Sequence, residues 1–268
     1  MKIRVPGGAC DTHMHFYDGS AGAPGAPNPG AFTVPMYREL QKRLGLERVI
    51  VVQPNAYRDD NRVTVASIHK LGRSAKGVAV VKPDVPDAEL ERLTKAGICA
   101  VRIMTLHGGM LGFDVMDSVV ARVHPFGWHA NIQLDGRELP KYEAQIKRLP
   151  GKFVIDHLGK FLEPVAPESK EFRSLLSLVN TGRCWVKLSA PYETSKTGAP
   201  KYADVGRLAK ALVKQAPERM LWASNWPHPS VPEKPDDLAL LELLADWAPD
   251  ERTQKRILLD NPAELYGF

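Results

Sequence analysis

The sequence predicts an α/β fold, namely one (β/α)₈ barrel that occupies residues 1–268. Short apolar segments alternate with amphipathic helical segments along the whole chain. The apolar segments are continuous, as expected for parallel strands that are covered on both faces. About eight strand–helix units follow one another, which is the number that closes a barrel. An open doubly wound sheet is disfavoured because no glycine-rich phosphate turn follows the first strand.

The elements are predicted in order from hydrophobic periodicity and from helix start and stop signals. A long loop rich in Gly, Ala and Pro covers residues 18–35, and it could be a binding loop or a plain surface excursion. Strands are expected at 9–17, 49–53, 77–81, 100–104, 130–134, 152–156, 184–188 and 220–224. Helices are expected at 37–44, 61–71, 87–96, 116–124, 138–149, 168–179, 204–215, 236–247 and 251–259.

Composition narrows the class of partner. The net charge is +5, but no dense Lys/Arg block is present, so we expect small anionic molecules rather than nucleic acid. The chain shows no signal peptide and no long uncharged apolar segment, which predicts a soluble cytoplasmic protein without a membrane partner. The three cysteines are scattered in apolar segments and are expected to be reduced and buried: Cys10, Cys99 and Cys184.

The opening strand ends in two histidines, His13 and His15. Side chains two residues apart on a strand leave the same face. If that face is the barrel lumen, both imidazoles lie at the carboxyl end of the strand, where barrel enzymes hold their active sites. The alternative is a histidine-rich edge strand in contact with solvent.

Polar side chains also gather at the ends of the other predicted strands, and parallel strands bring these ends to one mouth of the barrel. The residues expected there are Gln53, Asn55, Arg102, His107, Gln133, Asp135, Asp156, His157, Lys160, Lys187, Ser189, Tyr192, Asn225 and His228.

Some of these residues could serve the fold instead. Arg102 could pair with Asp135 or Asp156 across the barrel, and Lys187 is expected to be a buried, paired charge. A purely structural hydrogen bond is the alternative for Gln53, Asn55, His157 and His228. The remaining histidines fall on helices or at a strand start and are expected at the surface or in packing: His69, His124 and His129.

Residues 11–15, 101–104, 154–160 and 222–228 stand in this order along the chain, and residues 261–267 form the closing helix. Together they resemble the amidohydrolase superfamily, in the branch of the 2-pyrone-4,6-dicarboxylate hydrolases and galactarolactone isomerases. The resemblance spans nearly the whole chain and implies an amidohydrolase-type TIM barrel that acts on an anionic lactone.

Asn225 departs from the pattern of the hydrolases in this superfamily. Hydrolases of this superfamily carry an aspartate there, which takes a proton from the attacking water, whereas an amide cannot ionise. The isomerase branch resembles this chain in having asparagine. The resemblance therefore implies an isomerase of sugar-diacid lactones, of the D-galactaro-1,5-lactone to 1,4-lactone type. His13 departs from the isomerase pattern, so some hydrolytic or metal-binding capacity stays open.

Metal-dependent members of the superfamily hold zinc through His-x-His, further histidines and the aspartate that is missing here. His13, His15 and His157 could still form a three-nitrogen site for a divalent metal such as zinc. Without an anionic ligand, we expect no cofactor.

The expected chemistry is an intramolecular acyl transfer with His13, His15, His157 and Asn225 as the catalytic set. Arg102 and Lys160 are expected to hold the substrate carboxylate, and the other predicted contacts are Gln53, Asn55, Gln133, Tyr192 and His228. Two alternatives stay open. One is a lactone hydrolase acting on a sugar lactone or a substrate like 2-pyrone-4,6-dicarboxylate, and the other is a non-catalytic barrel that binds a sugar acid. The sequence specifies no oligomeric state.

Overall fold

In the computed structural model, which describes residues 3–106 and 108–268, the predicted barrel is confirmed. Eight parallel strands lie side by side in the order in which they occur along the chain, and a separate antiparallel pair, β2 and β3, stands outside the barrel. The strands are β1 Cys10–Met14, β2 Tyr17–Asp18, β3 Ala31–Phe32, β4 Arg48–Val52, β5 Ala75–Ala79, β6 Ile98–Met104, β7 His129–Gln133, β8 Phe153–Ile155, β9 Cys184–Leu188 and β10 Met220–Trp222.

The barrel closes between the first and the last strand. The Asn225 backbone N–H donates to the His13 carbonyl at 2.8 Å, and the His15 N–H donates to the Trp226 carbonyl at 2.8 Å. The Thr12 hydroxyl adds a third bond to the Trp222 carbonyl at 2.8 Å. The residues that close the barrel are therefore the same residues that carry the predicted site.

Ten α-helices cover the barrel in the described part of the chain. The first ends at Gly45, whose φ of +74° is a left-handed conformation that favours glycine. The helix predicted over residues 251–259 is instead a short α-helix that continues into a π-helical turn, Arg256–Asp260, and the predicted closing helix follows it directly. The helices are α1 Val34–Leu44, α2 Arg62–Leu71, α3 Asp87–Lys95, α4 Phe113–Val123, α5 Leu139–Arg148, α6 Lys170–Val179, α7 Ala203–Gln215, α8 Asp237–Trp247, α9 Glu251–Lys255 and α10 Asn261–Tyr266.

The lumen changes character along its length. At the amino end it is filled by a buried apolar cluster to which α10 contributes, including Ala100, Val154, Trp185, Leu221, Leu265 and Tyr266. Because side chains alternate along a strand, the next lumen positions lie two residues further on. There the chain places Arg102, Asp156 and Lys187, all buried. The polar site thus rests on an apolar plug.

The cysteines and the histidines predicted to lie away from the site have varied environments. The three cysteines are free, with Cys10 and Cys184 buried and Cys99 partly so. His69 and His124 are exposed, and His129 is buried against Tyr266. No helix within the described residues is long and apolar enough to cross a membrane. His107, which was expected near the site, lies outside the described residues.

Candidate active site

A cavity of about 270 Å³ opens at the carboxyl ends of the barrel strands. This volume suits one small ligand of roughly monosaccharide size. The lining residues come from seven strand ends and their loops: His15, Pro27, Asn55, Arg102, Met104, Leu106, Gln133, His157, Lys160, Leu162, Glu193, Asn225, Pro229 and Ser230. Pro27 shows that the long loop over residues 18–35 reaches the cavity.

Seven of the predicted site residues line this cavity: His15, Asn55, Arg102, Gln133, His157, Lys160 and Asn225. Four others do not. His13 lies behind His15 and is fully buried, while Tyr192 and His228 lie behind Asn225. These three residues contact the wall of the cavity from behind, and the direct substrate contacts predicted for Tyr192 and His228 stay predictions.

Gln53 is engaged by the loop that follows β4. Its side-chain nitrogen donates to the carbonyls of Arg58 and Asp60 at 3.0 and 2.8 Å, and its oxygen accepts from the Thr64 hydroxyl at 2.6 Å. These bonds hold the loop after β4 in place. The structural alternative considered for Gln53 is the one that the geometry favours.

A chain of hydrogen bonds runs beneath the cavity from Lys187 to the backbone of β4. The Lys187 ammonium lies 3.1 Å from His13 Nδ1, His13 Nε2 lies 3.3 Å from His15 Nε2, and His15 Nδ1 lies 2.8 Å from the Val52 carbonyl. A carbonyl only accepts, so His15 carries its proton on Nδ1 and its Nε2 is an acceptor. His13 must then donate from Nε2 and accept from Lys187 at Nδ1.

Burial keeps these imidazoles neutral. Burial, helped by the charge of Lys187, lowers the pKa of His13 well below its usual value. Burial and the nearby Arg102 lower the pKa of His15 to about 3. Burial and the neighbouring His13 lower the pKa of His157 well below its usual value. All three histidines are therefore neutral near pH 7.

His157 is the cavity-lining histidine with a ring nitrogen to spare. Its Nδ1 lies 2.8 Å from the Ser189 hydroxyl, which can donate or accept. Its Nε2 has no hydrogen bond to any described residue, whereas both nitrogens of His15 are engaged. Of the three predicted catalytic histidines, His157 is the one placed to exchange a proton with a ligand.

Asn225 is held by a second chain of hydrogen bonds. His228 Nε2 lies 3.0 Å from the carboxylate of Asp237, so a neutral His228 donates there and accepts at Nδ1. The Tyr192 hydroxyl donates to that Nδ1 at 2.9 Å and accepts from Asn225 Nδ2 at 2.8 Å. This order fixes the amide, and its Oδ1 remains as the acceptor available to a ligand.

Arg102 makes no ion pair with Asp135 or Asp156, so that structural alternative is not what the described residues show. Its guanidinium donates to the Gln53 carbonyl at 2.7 Å and to Gln133 Oε1 at 3.1 Å. Its Nε has no partner among the described residues. Arg102 is thus anchored on two sides and still has N–H groups to offer a ligand.

The outer rim carries an ion pair that sequence analysis missed. Lys160 Nζ lies 2.5 Å from Glu193 Oε2, and Ser230 donates to the other carboxylate oxygen. Lys160 and Glu193 are only 12% and 7% exposed, so the pair is well shielded from solvent. Glu193 follows β9, at a strand end like the others, and that position was the available signal.

Backbone strain concentrates at the same place. Several non-glycine residues at or beside the cavity have left-handed φ values between +43° and +61°: His157, Leu158, Lys160, Ala190, Asn225 and His228. Such residues cost free energy unless the surrounding structure holds them. The clustering marks the loops after β8, β9 and β10 as the parts of the chain that are shaped for the site.

One group could offer ligands to a metal ion. His13, Asp156 and His157 each present an atom within 4.8 Å of the others. The Lys187 ammonium, however, lies 3.0 Å from Asp156 Oδ1 and 3.1 Å from His13 Nδ1. A fixed cation therefore already contacts two of the three residues, and the group does not fit a metal ion as it stands.

Comparisons with known proteins agree with the barrel fold. A model of the amidohydrolase family matches residues 10–268. The D-galactarolactone isomerase of Agrobacterium fabrum is 38% identical over 97% of this chain and 91% of its own. The 2-pyrone-4,6-dicarboxylate hydrolase of Comamonas testosteroni is 32% identical over 99% of this chain and 92% of its own. An apo crystal structure from Agrobacterium tumefaciens superimposes with a TM-score of 0.93 at 37% identity, covering 98% of this chain and 97% of that one.

Proposed function

Since the chain belongs to the amidohydrolase family, we propose that it is a lactone isomerase that converts a sugar-diacid 1,5-lactone into the 1,4-lactone. The relative named D-galactarolactone isomerase supports this class of substrate. The observation that carries the proposal is the pair of cavity-lining residues His157 and Asn225, one able to exchange a proton and the other unable to ionise.

In the proposed reaction, the substrate supplies its own nucleophile. The 4-hydroxyl oxygen attacks the lactone carbonyl carbon and gives its proton to His157 Nε2. The bond from that carbon to the 5-oxygen then breaks, and His157 returns the proton to the 5-oxygen. The two oxygens stand on neighbouring carbons, so one base can serve both. No water enters the balance.

The rest of the cavity supports this assignment. Arg102 is the proposed partner of the anionic groups of the substrate, because its guanidinium has N–H groups to spare. Asn225 Oδ1 is proposed to accept a hydrogen bond from a sugar hydroxyl. A tethered hydroxyl competes well with water, since effective molarities of well-placed groups are large. Without a carboxylate at position 225, water lacks the base that would activate it.

We propose that the reaction needs no metal ion, because the cation position beside His13 and Asp156 is taken by Lys187. Metal analysis of the purified protein, together with activity after chelation, tests this point. Stoichiometric zinc with turnover that is lost on chelation would contradict it.

Nuclear magnetic resonance of D-galactaro-1,5-lactone incubated with the protein in ¹⁸O-water tests the function. We expect the 1,4-lactone without ¹⁸O, formed faster than in the absence of protein. Open-chain diacid carrying ¹⁸O would favour a lactone hydrolase, the activity named for the relative from Comamonas testosteroni. Binding without any turnover of aldaric or aldonic lactones would favour the non-catalytic barrel.

A further inference from the structure

Lys187 is a buried, paired charge in the barrel, as the sequence predicts. Its side chain is fully buried on β9 and contacts Asp156 Oδ1 at 3.0 Å and His13 Nδ1 at 3.1 Å. Both contacted residues belong to the group whose ligand atoms lie close enough for a metal ion. The ammonium does not line the cavity and so has no direct role toward a ligand.

We propose that Lys187 is a built-in cation that excludes divalent metal ions from His13, Asp156 and His157 and fixes the tautomers of the histidines beneath the cavity. It is a positioning residue. This role of Lys187 does not depend on which lactone the protein acts on. It concerns only the floor of the cavity, which consists of Lys187, Asp156, His13 and His15.

The lone pairs of His13 are not available to a metal ion while Lys187 is in place. A metal ion binds a neutral imidazole through an unprotonated nitrogen. If it used His13 Nδ1, it would have to displace the Lys187 ammonium from that lone pair. If it used His13 Nε2, the proton would move to Nδ1 and would face the ammonium, donor against donor. Either mode is opposed while Lys187 keeps its place.

The charge of Lys187 also opposes a metal ion at Asp156. Asp156 Oδ1 already accepts from Lys187 and from Asn131 Nδ2, at 3.0 and 3.1 Å. Its Oδ2 is buried and has no partner among the described residues. That oxygen is the anionic ligand a metal ion would seek, but the ammonium on the same carboxylate repels a second cation at short range.

The exclusion has a consequence for the site. With Lys187 donating to Nδ1, His13 must donate from Nε2 to His15, and His15 must donate from Nδ1 to the Val52 carbonyl. The nitrogens of His13 and His15 are then all committed. His157 remains as the histidine that is free to act on a ligand.

Long-range ¹H–¹⁵N correlation spectra of the histidine side chains test the tautomers in the wild-type protein. We expect neutral His13 protonated on Nε2 and neutral His15 protonated on Nδ1, with no change on addition of one equivalent of Zn²⁺. A proton on His13 Nδ1, or shifts of His13 and His157 on addition of zinc, would overturn the proposal. This measurement needs no variant, so it decides the matter even if a substitution at Lys187 fails to fold.

The variant Lys187→Met tests the exclusion directly with Co²⁺ as the probe. The folded variant should bind one Co²⁺ per chain with visible d–d absorption, and tighter than wild type by about 10- to 100-fold or more. The double variant Lys187→Met/Asp156→Asn is the matched control and should lose that gain. A folded Lys187→Met protein that binds Co²⁺ no better than wild type would overturn the proposal, as would wild-type protein that already binds one equivalent.

Discussion

The floor and the rim of the cavity each contain a pair of opposite charges, but the two pairs differ in burial and in access to the cavity. The floor holds Lys187 and Asp156 at zero side-chain exposure, with hydrogen bonds on both charges. The rim holds Lys160 and Glu193, which are slightly exposed and line the cavity themselves. The floor is proposed to set the protons of the histidines without touching a ligand, and the rim is proposed to present its charges to the ligand. Chemistry and binding are therefore expected to respond to different substitutions.

The largest loss of activity is expected on substitution of His157, which lies between the floor and the rim. The substitution His157→Ala removes the ring nitrogen that is free to exchange a proton, and general acid–base catalysis is worth about 10²–10⁴ in rate. We expect kcat for lactone isomerisation to fall by that factor, as followed by nuclear magnetic resonance.

The matched control is His69→Ala, since His69 is exposed on α2 and is remote from the cavity. It should leave kcat unchanged. Equal losses in both variants, or full activity in His157→Ala, would show that His157 is not the base.

The next effect concerns the choice between the substrate hydroxyl and water. In Asn225→Asp the new carboxylate cannot donate to Tyr192 and instead accepts from the Tyr192 hydroxyl. A base then stands at the cavity wall, and we expect hydrolysis to rise by about 10²-fold or more. The measurement is ¹⁸O incorporation into open-chain diacid.

Asn225→Ala is the control for that substitution, because it removes the amide without adding a base. It should slow isomerisation and leave hydrolysis at the wild-type level. If both variants released the same amount of labelled diacid, the proposed reason for isomerisation would be wrong.

At the rim, two substitutions with opposite charge effects sharpen the comparison. Lys160→Met leaves the Glu193 carboxylate facing an anionic ligand, so we expect KM to rise by about tenfold, or ~1.4 kcal/mol. Glu193→Gln frees the Lys160 ammonium for the ligand and should lower KM. In both variants kcat should change much less than KM, which is the pattern of binding rather than chemistry. Changes of the same sign in steady-state KM would contradict an electrostatic role for the rim.

The barrel and most of the cavity wall could be predicted from the sequence because both follow local rules. Apolar runs predict the strands, and polar residues at their ends predict the mouth of a parallel barrel. His15, Arg102, His157 and Asn225 line the cavity as those rules require.

The roles of individual side chains could not be predicted in the same way, because they depend on partners from distant strands. His15 donates to a carbonyl on β4, and His157 uses Nδ1 for the hydroxyl of Ser189, just after β9, which leaves its Nε2 free. Gln53 is used by its own loop, and Glu193 becomes part of the site only by meeting Lys160. These pairings are set by barrel closure and loop packing, which periodicity does not encode.

The smallest effect on activity, and the last test, uses pH and a histidine far from the ligand. Burial, with Lys187 nearby, lowers the pKa of His129 to about 3, and burial and Arg102 lower that of His15 equally far. An unfolded chain titrates near pH 6.5, so the unfolded state binds more protons as the pH falls below that value. The free energy of unfolding should therefore decrease from pH 6.5 toward pH 3, by up to about 1.4 kcal/mol per pH unit for each such histidine.

In His129→Gln, denaturant titrations between pH 7 and pH 4.5 should give a slope that is smaller by about one proton, while kcat and KM stay as in the wild type. An unchanged slope would mean that His129 is protonated inside the folded barrel, and the same doubt would then extend to the neutral histidines of the cavity floor.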